Sequence, residues 1–94
     1  MKRTPMRRRS RKTERIYARE RRPLVAAILE ARPWCERCRR NRSTECHELK
    51  SRARGGSILD PDNIAALCHA CHAWVTTHPA DAHDEGWLKH SWED

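Results

Sequence analysis

Four of the five cysteines in this sequence form two Cys-x-x-Cys pairs, a spacing typical of metal sites. The pairs are Cys35/Cys38 and Cys68/Cys71, and 29 residues separate them. The two-residue gap lets both sulfurs of a pair reach one ion from a single tight turn, and four thiolates favour tetrahedral zinc. The sequence therefore predicts a structural Zn²⁺ bound by these four residues, and it assigns no role to Cys46.

A second set of side chains could bind a catalytic cation and move a proton. His47 and Glu48 are adjacent, Asn63 precedes the second cysteine pair, and His72 follows that pair directly. Imidazole and carboxylate groups bind divalent cations and accept protons from water. A hairpin followed by a helix would bring these four side chains into one cleft.

The elements that must position these residues can be predicted from local patterns. Proline at the first position and the apolar spacing after it predict a short helix over about 23–32. Strands are predicted over 44–49 and 64–68, joined by a loop rich in Gly, Asp and Pro. A helix is predicted over 69–78, where Pro79 ends it. The expected fold class is small α+β.

The apolar content is low for a folded domain. Leu, Ile and Val together account for 12 of the 94 residues, and Phe is absent. This lies below the roughly 20% level under which charged chains tend toward disorder. The length allows one domain at most. Because a structural zinc contributes about 10–16 kcal/mol to folding, we expect metal to stabilise the domain.

The compartment follows from the cysteines and from the apolar pattern. The basic start of the sequence lacks the apolar stretch of a secretory signal, and no stretch approaches the length of a membrane span. We therefore expect a cytoplasmic protein with no membrane partner. Thiols stay reduced in that compartment, which favours metal over disulfides.

Charge is distributed unevenly, although the whole chain carries +7. Residues 1–22 carry a net +9 and predict a basic, flexible N-terminal arm, whereas residues 55–94 carry a net −6. We expect residues 23–94 to form a single zinc-stabilised domain with an acidic C-terminal extension, in which Trp87 and Trp92 pack back onto the domain.

The basic charge predicts a nucleic-acid partner, because neutralisation of phosphates dominates affinity for DNA. A solvated tail that only aids solubility is the alternative for the arm. The arginines expected to bind DNA are Arg7, Arg8, Arg9, Arg39, Arg40, Arg42, Arg52 and Arg54.

Taken together, these motifs over about residues 34–78 resemble the HNH endonucleases of the ββα-metal fold, in the zinc-knuckle subgroup common in bacteriophages. The residues that carry the resemblance are Cys35, Cys38, His47, Glu48, Leu49, Arg52, Gly55, Gly56, Asp62, Asn63, Ile64, Leu67, Cys68, Cys71 and His72. The resemblance implies a ββα-metal (HNH) module with a four-cysteine zinc knuckle, preceded by the basic arm and the short helix. It also implies metal-dependent hydrolysis of DNA phosphodiester bonds, by nicking or double-strand cleavage, with a catalytic Mg²⁺, Mn²⁺, Ni²⁺ or Zn²⁺. By analogy with small phage proteins, the terminase large subunit is a further expected partner, in genome packaging.

The resemblance implies a role for each matched position. His47 and His72 correspond to the ligands of the catalytic cation, and Asn63 to the residue that pins the loop and orients the base. Glu48 occupies the position at which the family usually has a histidine as general base. Glu48 is therefore expected to act either as the base or as a third metal ligand. A register shifted by one residue, with Cys46 as ligand and His47 as base, is the alternative.

A function from a different class is also compatible with the sequence. A zinc ribbon that binds nucleic acid without catalysis would use the cysteines, the basic arm and the loop “RRNR”. Such a binder would not require His47, Asn63 and His72 in one cleft. The relative positions of these three side chains therefore distinguish the two hypotheses.

Overall fold

The computed structural model describes residues 11–93, in the order expected for a small α+β module. The helices are α1 (Arg11–Ile16), α2 (Arg22–Ala31), α3 (His69–Thr77) and α4 (Pro79–Glu85), and the strands are β1 (Glu45–Glu48) and β2 (Ile64–Leu67). A π-helical segment, Tyr17–Arg21, connects α1 to α2, and 3₁₀ turns cover Arg52–Arg54 and Pro61–Asn63. The predicted fold class is confirmed, since β1, β2 and α3 follow one another as a ββα unit.

The two strands form an antiparallel hairpin that separates two small cores. In this hairpin Glu45 pairs with Leu67, and His47 pairs with Ala65. Every residue of β2 is buried, because side chains on both of its faces are covered. Ala65 and Leu67 pack in the core that contains the paired cysteines and α3, whereas Ala66 packs with Ile28 of α2. The small alanines allow helices to approach both faces of the strand.

The N-terminal helices extend further than predicted. The helix predicted over 23–32 is observed as α2, but the described residues before it, from Arg11 on, are already helical. Arg21, expected in the flexible arm, is buried, and its guanidinium donates a hydrogen bond to the Ile58 carbonyl oxygen at 2.7 Å. Helical structure therefore replaces the predicted flexible arm over residues 11–22, while the domain boundary at residue 23 stays a prediction.

The loop between the strands turns at two adjacent glycines. Gly55 has φ of +91° and ends the 3₁₀ turn that precedes it. A Cβ placed on Gly56 would lie 1.8 Å from the Lys50 carbonyl oxygen and 2.9 Å from Asn63 Nδ2. Only glycine can occupy that position without moving the backbone of the loop. The two glycines therefore bring the loop back toward the start of β2.

The C-terminal region differs from its prediction in two respects. Pro79 does end α3, but it also lies in the first turn of a further helix, α4, that ends at Gly86 with φ of +88°. Proline lacks a backbone N–H, but the first turn of a helix does not use that donor. Proline can therefore start a helix as well as end one. Trp87 packs against the core as expected, whereas the packing predicted for Trp92 is wrong, since Trp92 is 77% exposed.

The last described segment returns to the hairpin. The Lys89 backbone N–H donates to the Leu49 carbonyl oxygen at 2.7 Å, and the Trp87 carbonyl oxygen lies 2.6 Å from His47 Nε2. The C-terminal extension therefore contacts the same strand that carries the predicted site. Among residues 11–93, every helix is too short or too polar to cross a membrane.

Candidate functional site

The four paired cysteines converge in one cluster. The sulfurs of Cys35, Cys38, Cys68 and Cys71 all lie within 4.8 Å of one another, and Cys38 Sγ is 3.9 Å from Cys68 Sγ. Tetrahedral zinc, with Zn–S bonds of about 2.3 Å, places its sulfurs about 3.8 Å apart. The Asn41 side-chain amide donates to Cys68 Sγ at 3.7 Å. The cluster therefore fits a structural zinc in both ligand type and spacing.

Donors around the cluster favour the thiolate form that zinc requires. Burial alone raises the pKa of the Cys35 thiol, but backbone N–H groups, led by that of Cys38, outweigh it and lower this pKa to about 6. Burial raises the pKa of Cys71, whose sulfur accepts a hydrogen bond from Arg37 Nη1 at 3.6 Å. A bound cation would offset the effect of burial on this pKa, because it attracts the deprotonated sulfur directly.

Two histidines from different elements come together beside this cluster. His47 lies on β1 and His72 lies in the first turn of α3. Their ring centroids are 5.2 Å apart, with an angle of 59° between the planes. Two imidazoles at this separation can share one cation, because metal–nitrogen bonds are about 2.0–2.1 Å long. The structure thus brings together the two residues predicted to bind the catalytic cation.

Each of these histidines has one ring nitrogen engaged by a neighbour. His72 Nδ1 lies 2.6 Å from Glu45 Oε1, and His47 Nε2 lies 2.6 Å from the Trp87 carbonyl oxygen. A carbonyl or carboxylate oxygen accepts, so the proton of each ring is assigned to the engaged nitrogen. His47 Nδ1 and His72 Nε2 then carry the lone pairs. A carboxylate or carbonyl behind a histidine is the arrangement that orients imidazole ligands in metal sites.

The electrostatics of the pair favour neutral imidazole at one ligand. Burial lowers the pKa of His47 and outweighs the opposing hydrogen bond to Trp87, and the nearby His72 lowers it further. A neutral ring is the form that binds a cation. Hydrogen bonds from His72, and then from His69, lower the pKa of Glu45. Glu45 therefore stays ionised and can hold the proton of His72 Nδ1.

Sequence reasoning missed Glu45, although one pattern could have identified it. Side chains alternate between the two faces of a strand, so Glu45 shares a face with His47, two residues further on. Its other oxygen, Oε2, lies 2.7 Å from Nδ1 of the exposed His69. One carboxylate thus contacts two histidines of α3 from the strand opposite.

The opposite face of β1 carries Cys46 and Glu48, away from the histidine pair. Cys46 packs with Ile28 and Ala66, and its burial raises the pKa of its thiol. This placement favours the register with His47 as ligand. Glu48 Oε1 lies 3.5 Å from Arg21 Nη2. The structure therefore does not place Glu48 on the face shared by the two histidines, and its role as base or ligand stays a prediction.

Asn63 connects the two ends of the loop between the strands. Its Oδ1 accepts from the Lys50 backbone N–H at 2.9 Å, and its Nδ2 donates to the Lys50 carbonyl oxygen at 2.8 Å. The same Nδ2 donates to the Ser57 carbonyl oxygen at 3.0 Å. These bonds hold the chain directly after β1. They are consistent with the positioning role expected for Asn63.

Residues 35–77 match the family model described as HNH endonuclease. The predicted resemblance to the HNH endonucleases is therefore confirmed over this segment, which is just under half of the chain. The matched HNH segment contains both cysteine pairs and the side chains of His47, Asn63 and His72. The searches of curated proteins and of solved structures find no match.

Five of the eight arginines predicted to bind DNA lie within the HNH segment, and the other three precede it in the sequence. Those within residues 11–93 are exposed: Arg39, Arg40 and Arg42 in the zinc knuckle, and Arg52 and Arg54 in the 3₁₀ turn after β1. The predicted contacts of Arg7, Arg8 and Arg9 lie outside the described residues. All eight assignments stay predictions.

A further group of possible ligands lies outside the HNH segment, in the C-terminal extension. Ligand atoms of His83, His90 and Glu93 lie within 4.8 Å of one another. However, the two imidazole rings are stacked, with centroids 4.0 Å apart and planes 11° apart. The lone pairs of an imidazole lie in its ring plane, so two parallel rings do not direct them at one ion. We therefore assign no metal to this group.

Proposed function

We propose that this HNH domain is a metal-dependent endonuclease that hydrolyses phosphodiester bonds of DNA. The observation that carries the proposal is the pairing of His47 and His72, with ring centroids 5.2 Å apart. Glu45 and Trp87 each engage one nitrogen and leave the other nitrogen of each ring free. A structural zinc ribbon needs neither histidine, whereas an open cation site suits phosphate chemistry.

In the proposed reaction, His47 Nδ1 and His72 Nε2 would hold the catalytic cation. When bound, that cation supplies positive charge to the scissile phosphate and to the leaving 3′ oxygen. Mg²⁺, Mn²⁺, Ni²⁺ and Zn²⁺ are the candidates. Glu45 keeps the His72 ring in its orientation through the 2.6 Å hydrogen bond.

The remaining residues of the proposed site act on water, on the loop and on phosphate. On the resemblance alone, Glu48 is assigned to accept the proton of the attacking water, although its carboxylate lies on the other face of β1, 3.5 Å from Arg21 Nη2. Asn63 fixes the loop, and Arg52 or Arg54 neutralises phosphate charge. The products are 5′-phosphate and 3′-hydroxyl ends. One such site serves one strand, so a single copy nicks and a double-strand break requires two events.

A plasmid assay tests the proposal. Supercoiled DNA is incubated with zinc-loaded protein and each divalent ion in turn, and nicked circles are quantified. The His47→Ala variant is expected to nick at least about 10²-fold more slowly than wild type, the order of loss for one group that stabilises transition-state charge. The matched control is His78→Ala, because His78 is an exposed residue at the end of α3.

The outcome of this assay separates two functions. Wild-type protein that keeps its zinc, binds DNA and never nicks with any ion would leave the non-catalytic zinc-ribbon binder as the function. Circular dichroism and zinc content, measured on the same samples, ensure that inactivity is not caused by unfolding.

Association with a phage terminase large subunit, and a role in genome packaging in the host cytoplasm, are proposed on the resemblance to small phage proteins alone. The test is a nicking assay with and without a purified terminase large subunit. Stable co-elution of the two proteins and a faster cut are expected. Unchanged nicking without co-elution would remove this proposal and leave the nuclease proposal intact.

A further inference from the structure

Two tryptophans and two arginines line an open cavity beside the zinc knuckle. The cavity has a volume of about 740 Å³, and its walls include Trp34, Trp87, Arg39 and Arg40. This volume falls within the range of roughly 300–1,000 Å³ typical of sites that bind small organic groups. Trp34 is 53% exposed, although indole is among the side chains that gain most from burial. The Arg42 guanidinium lies over this indole, 5.4 Å from the ring centroid, and leaves about half of the side chain exposed to a further flat partner.

The charge of this cavity favours an anionic partner. Glu36 also lines it, but its Oε2 already accepts from the Ala66 backbone N–H at 2.5 Å and faces Arg32 Nη1 at 3.5 Å. Arg39 and Arg40 are exposed. The cavity therefore offers two guanidinium groups to a ligand, while its one carboxylate is already compensated.

The backbone at Arg39 points to a use for its side chain. Among the described residues, Arg39 is the one non-glycine residue with a positive φ, 58°. Such a conformation costs about 1 kcal/mol or more in an L-residue other than glycine. Glycine would relieve this strain in the turn after Cys38. A long cationic side chain at a position that favours glycine suggests that the guanidinium contributes to binding.

The cavity is also connected to the proposed active site. Trp87 lines the cavity, and its carbonyl oxygen lies 2.6 Å from His47 Nε2. A group bound against Trp87 would therefore contact the residue that orients a proposed ligand of the catalytic cation. The cavity and the histidine pair thus share Trp87 as a common neighbour.

We propose that this cavity binds an unpaired nucleobase, which stacks on Trp34 and Trp87 while Arg39 and Arg40 contact the flanking phosphates. Stacking on indole accepts any base, because every base has a π-face, and guanidinium groups complement the phosphates on either side. The proposed nuclease would then prefer DNA with single-stranded character, such as a flap, a gap or a melted segment. This preference rests on the proposed function, whereas binding of the base itself does not.

Binding of a fluorescent oligothymidine tests the proposal without cleavage. Affinity is measured by anisotropy in the His72→Ala background, which lacks a proposed ligand of the catalytic cation. Trp34→Ala is expected to weaken binding of the single strand by about 5- to 150-fold, the range for one stacked base. Trp34→Tyr should restore most of the affinity, and Trp92→Ala is the matched control, because Trp92 is exposed and does not line the cavity.

Arg39 provides a second test in which stability and binding change in opposite directions. Arg39→Gly and Arg39→Ala should both weaken oligothymidine binding and reduce its salt slope by about 1. Only Arg39→Gly should also raise the melting temperature, because glycine accepts a φ of 58°. This comparison remains informative even if Trp34→Ala does not fold.

The results that overturn the proposal differ from those that overturn the nuclease function. Folded Trp34→Ala and Arg39→Gly variants that bind oligothymidine as tightly as their parent would remove the base site. Equal losses of affinity for duplex and single strand would also remove it, because they would indicate a general phosphate contact. Wild-type protein that never nicks, but loses oligothymidine on Trp34→Ala, would remove the nuclease and leave the base site.

Discussion

The cysteine cluster and the histidine pair differ in the type, number and burial of their side chains, although Cys71 and His72 are adjacent in sequence. The cluster uses four thiols, three of them buried, and leaves no position for a further ligand in a tetrahedral site. The pair offers two half-buried imidazoles, each with one free nitrogen. Closed sites stabilise a fold and open sites perform chemistry. The comparison predicts that substitutions at the adjacent residues Cys71 and His72 separate stability from activity.

The first turn of α3 explains how adjacent residues serve different centres. Cys68 precedes the helix, and its sulfur accepts from the Cys71 backbone N–H at 3.4 Å, so both thiols lie on one side of the turn. A helix advances about 100° per residue, so His72 points away from Cys71. It points toward β1, where it contacts Glu45 and lies near His47. Zinc that fixes this turn would therefore also fix the direction of His72.

Loss of a cluster thiol is the largest expected effect. We expect Cys68→Ser to unfold the domain, because a structural zinc contributes about 10–16 kcal/mol to folding, more than the stability of about 5–15 kcal/mol that a small domain usually has. Circular dichroism and zinc content are the measurements. Cys46→Ser is the control, since Cys46 packs in the other core, and it should keep its zinc. A folded, zinc-free Cys68→Ser protein would contradict the structural role of the cluster.

The residue after Cys71 should respond in the opposite way. We expect His72→Ala to lower the nicking rate by about 10²–10³-fold or more, as loss of a group that stabilises transition-state charge does. Zinc content should stay unchanged, because the cluster uses other residues. Unfolding by urea should change by about 1 kcal/mol at most, as for most substitutions outside a core. A His72→Ala protein that loses zinc and unfolds would show that the two centres cannot be separated.

The two glutamates of β1 sharpen the comparison further, because they lie on opposite faces of the strand. Glu45→Gln should weaken binding of the catalytic cation by about 10–100-fold, as the loss of a carboxylate behind a metal-bound histidine does. Excess cation should therefore restore its nicking rate. Glu48→Gln should lower the rate by about 10²–10⁴-fold at saturating cation, as expected for loss of a general base.

Cation titrations of the nicking rate distinguish these two roles. Each variant serves as the control for the other, since both remove one negative charge from the same strand. If excess cation restores Glu48→Gln and fails to restore Glu45→Gln, the two assignments must be exchanged. Equal rates for Glu48→Gln and wild type would exclude Glu48 as the base.

Local patterns predicted the elements and the cysteine cluster well. Two-residue cysteine spacing and the strands around it need only short-range information, and the observed strands fall inside the predicted ranges 44–49 and 64–68. The helix predicted over 69–78 is observed to within one residue. The approach of His47 to His72 was expected from a hairpin followed by a helix together with the resemblance, because no local pattern alone fixes how a strand and a helix meet. The structure confirms that approach.

Contacts between residues distant in sequence were not predictable. Glu45 was missed because its role depends on the packing of β1 against α3, whose first residue, His69, lies 24 residues further along the chain. The Trp87 carbonyl that engages His47 lies 40 residues from it in sequence. The helix after Pro79 was also missed, because proline both ends and begins helices. These features depend on tertiary packing, which cannot be predicted from short segments of a single sequence.

Asn63 offers the smallest and most graded test, because it contacts neither centre directly. Asn63→Ala removes two hydrogen bonds to Lys50 and one to Ser57. We expect a loss of about 1–3 kcal/mol in the free energy of unfolding, since net values are about 0.5–1.5 kcal/mol per bond and solvent replaces part of them here. Urea denaturation is the measurement.

The graded control is Asn63→Asp, which keeps the acceptor for the Lys50 N–H and loses both donations. It should fall between wild type and Asn63→Ala in stability, and both variants should keep their zinc. If the loop only fixes the geometry after β1, nicking should fall in the same order as loop stability. A nicking rate lost completely in Asn63→Asp, with unfolding unchanged, would instead assign Asn63 a direct role at the phosphate and place it in the open centre.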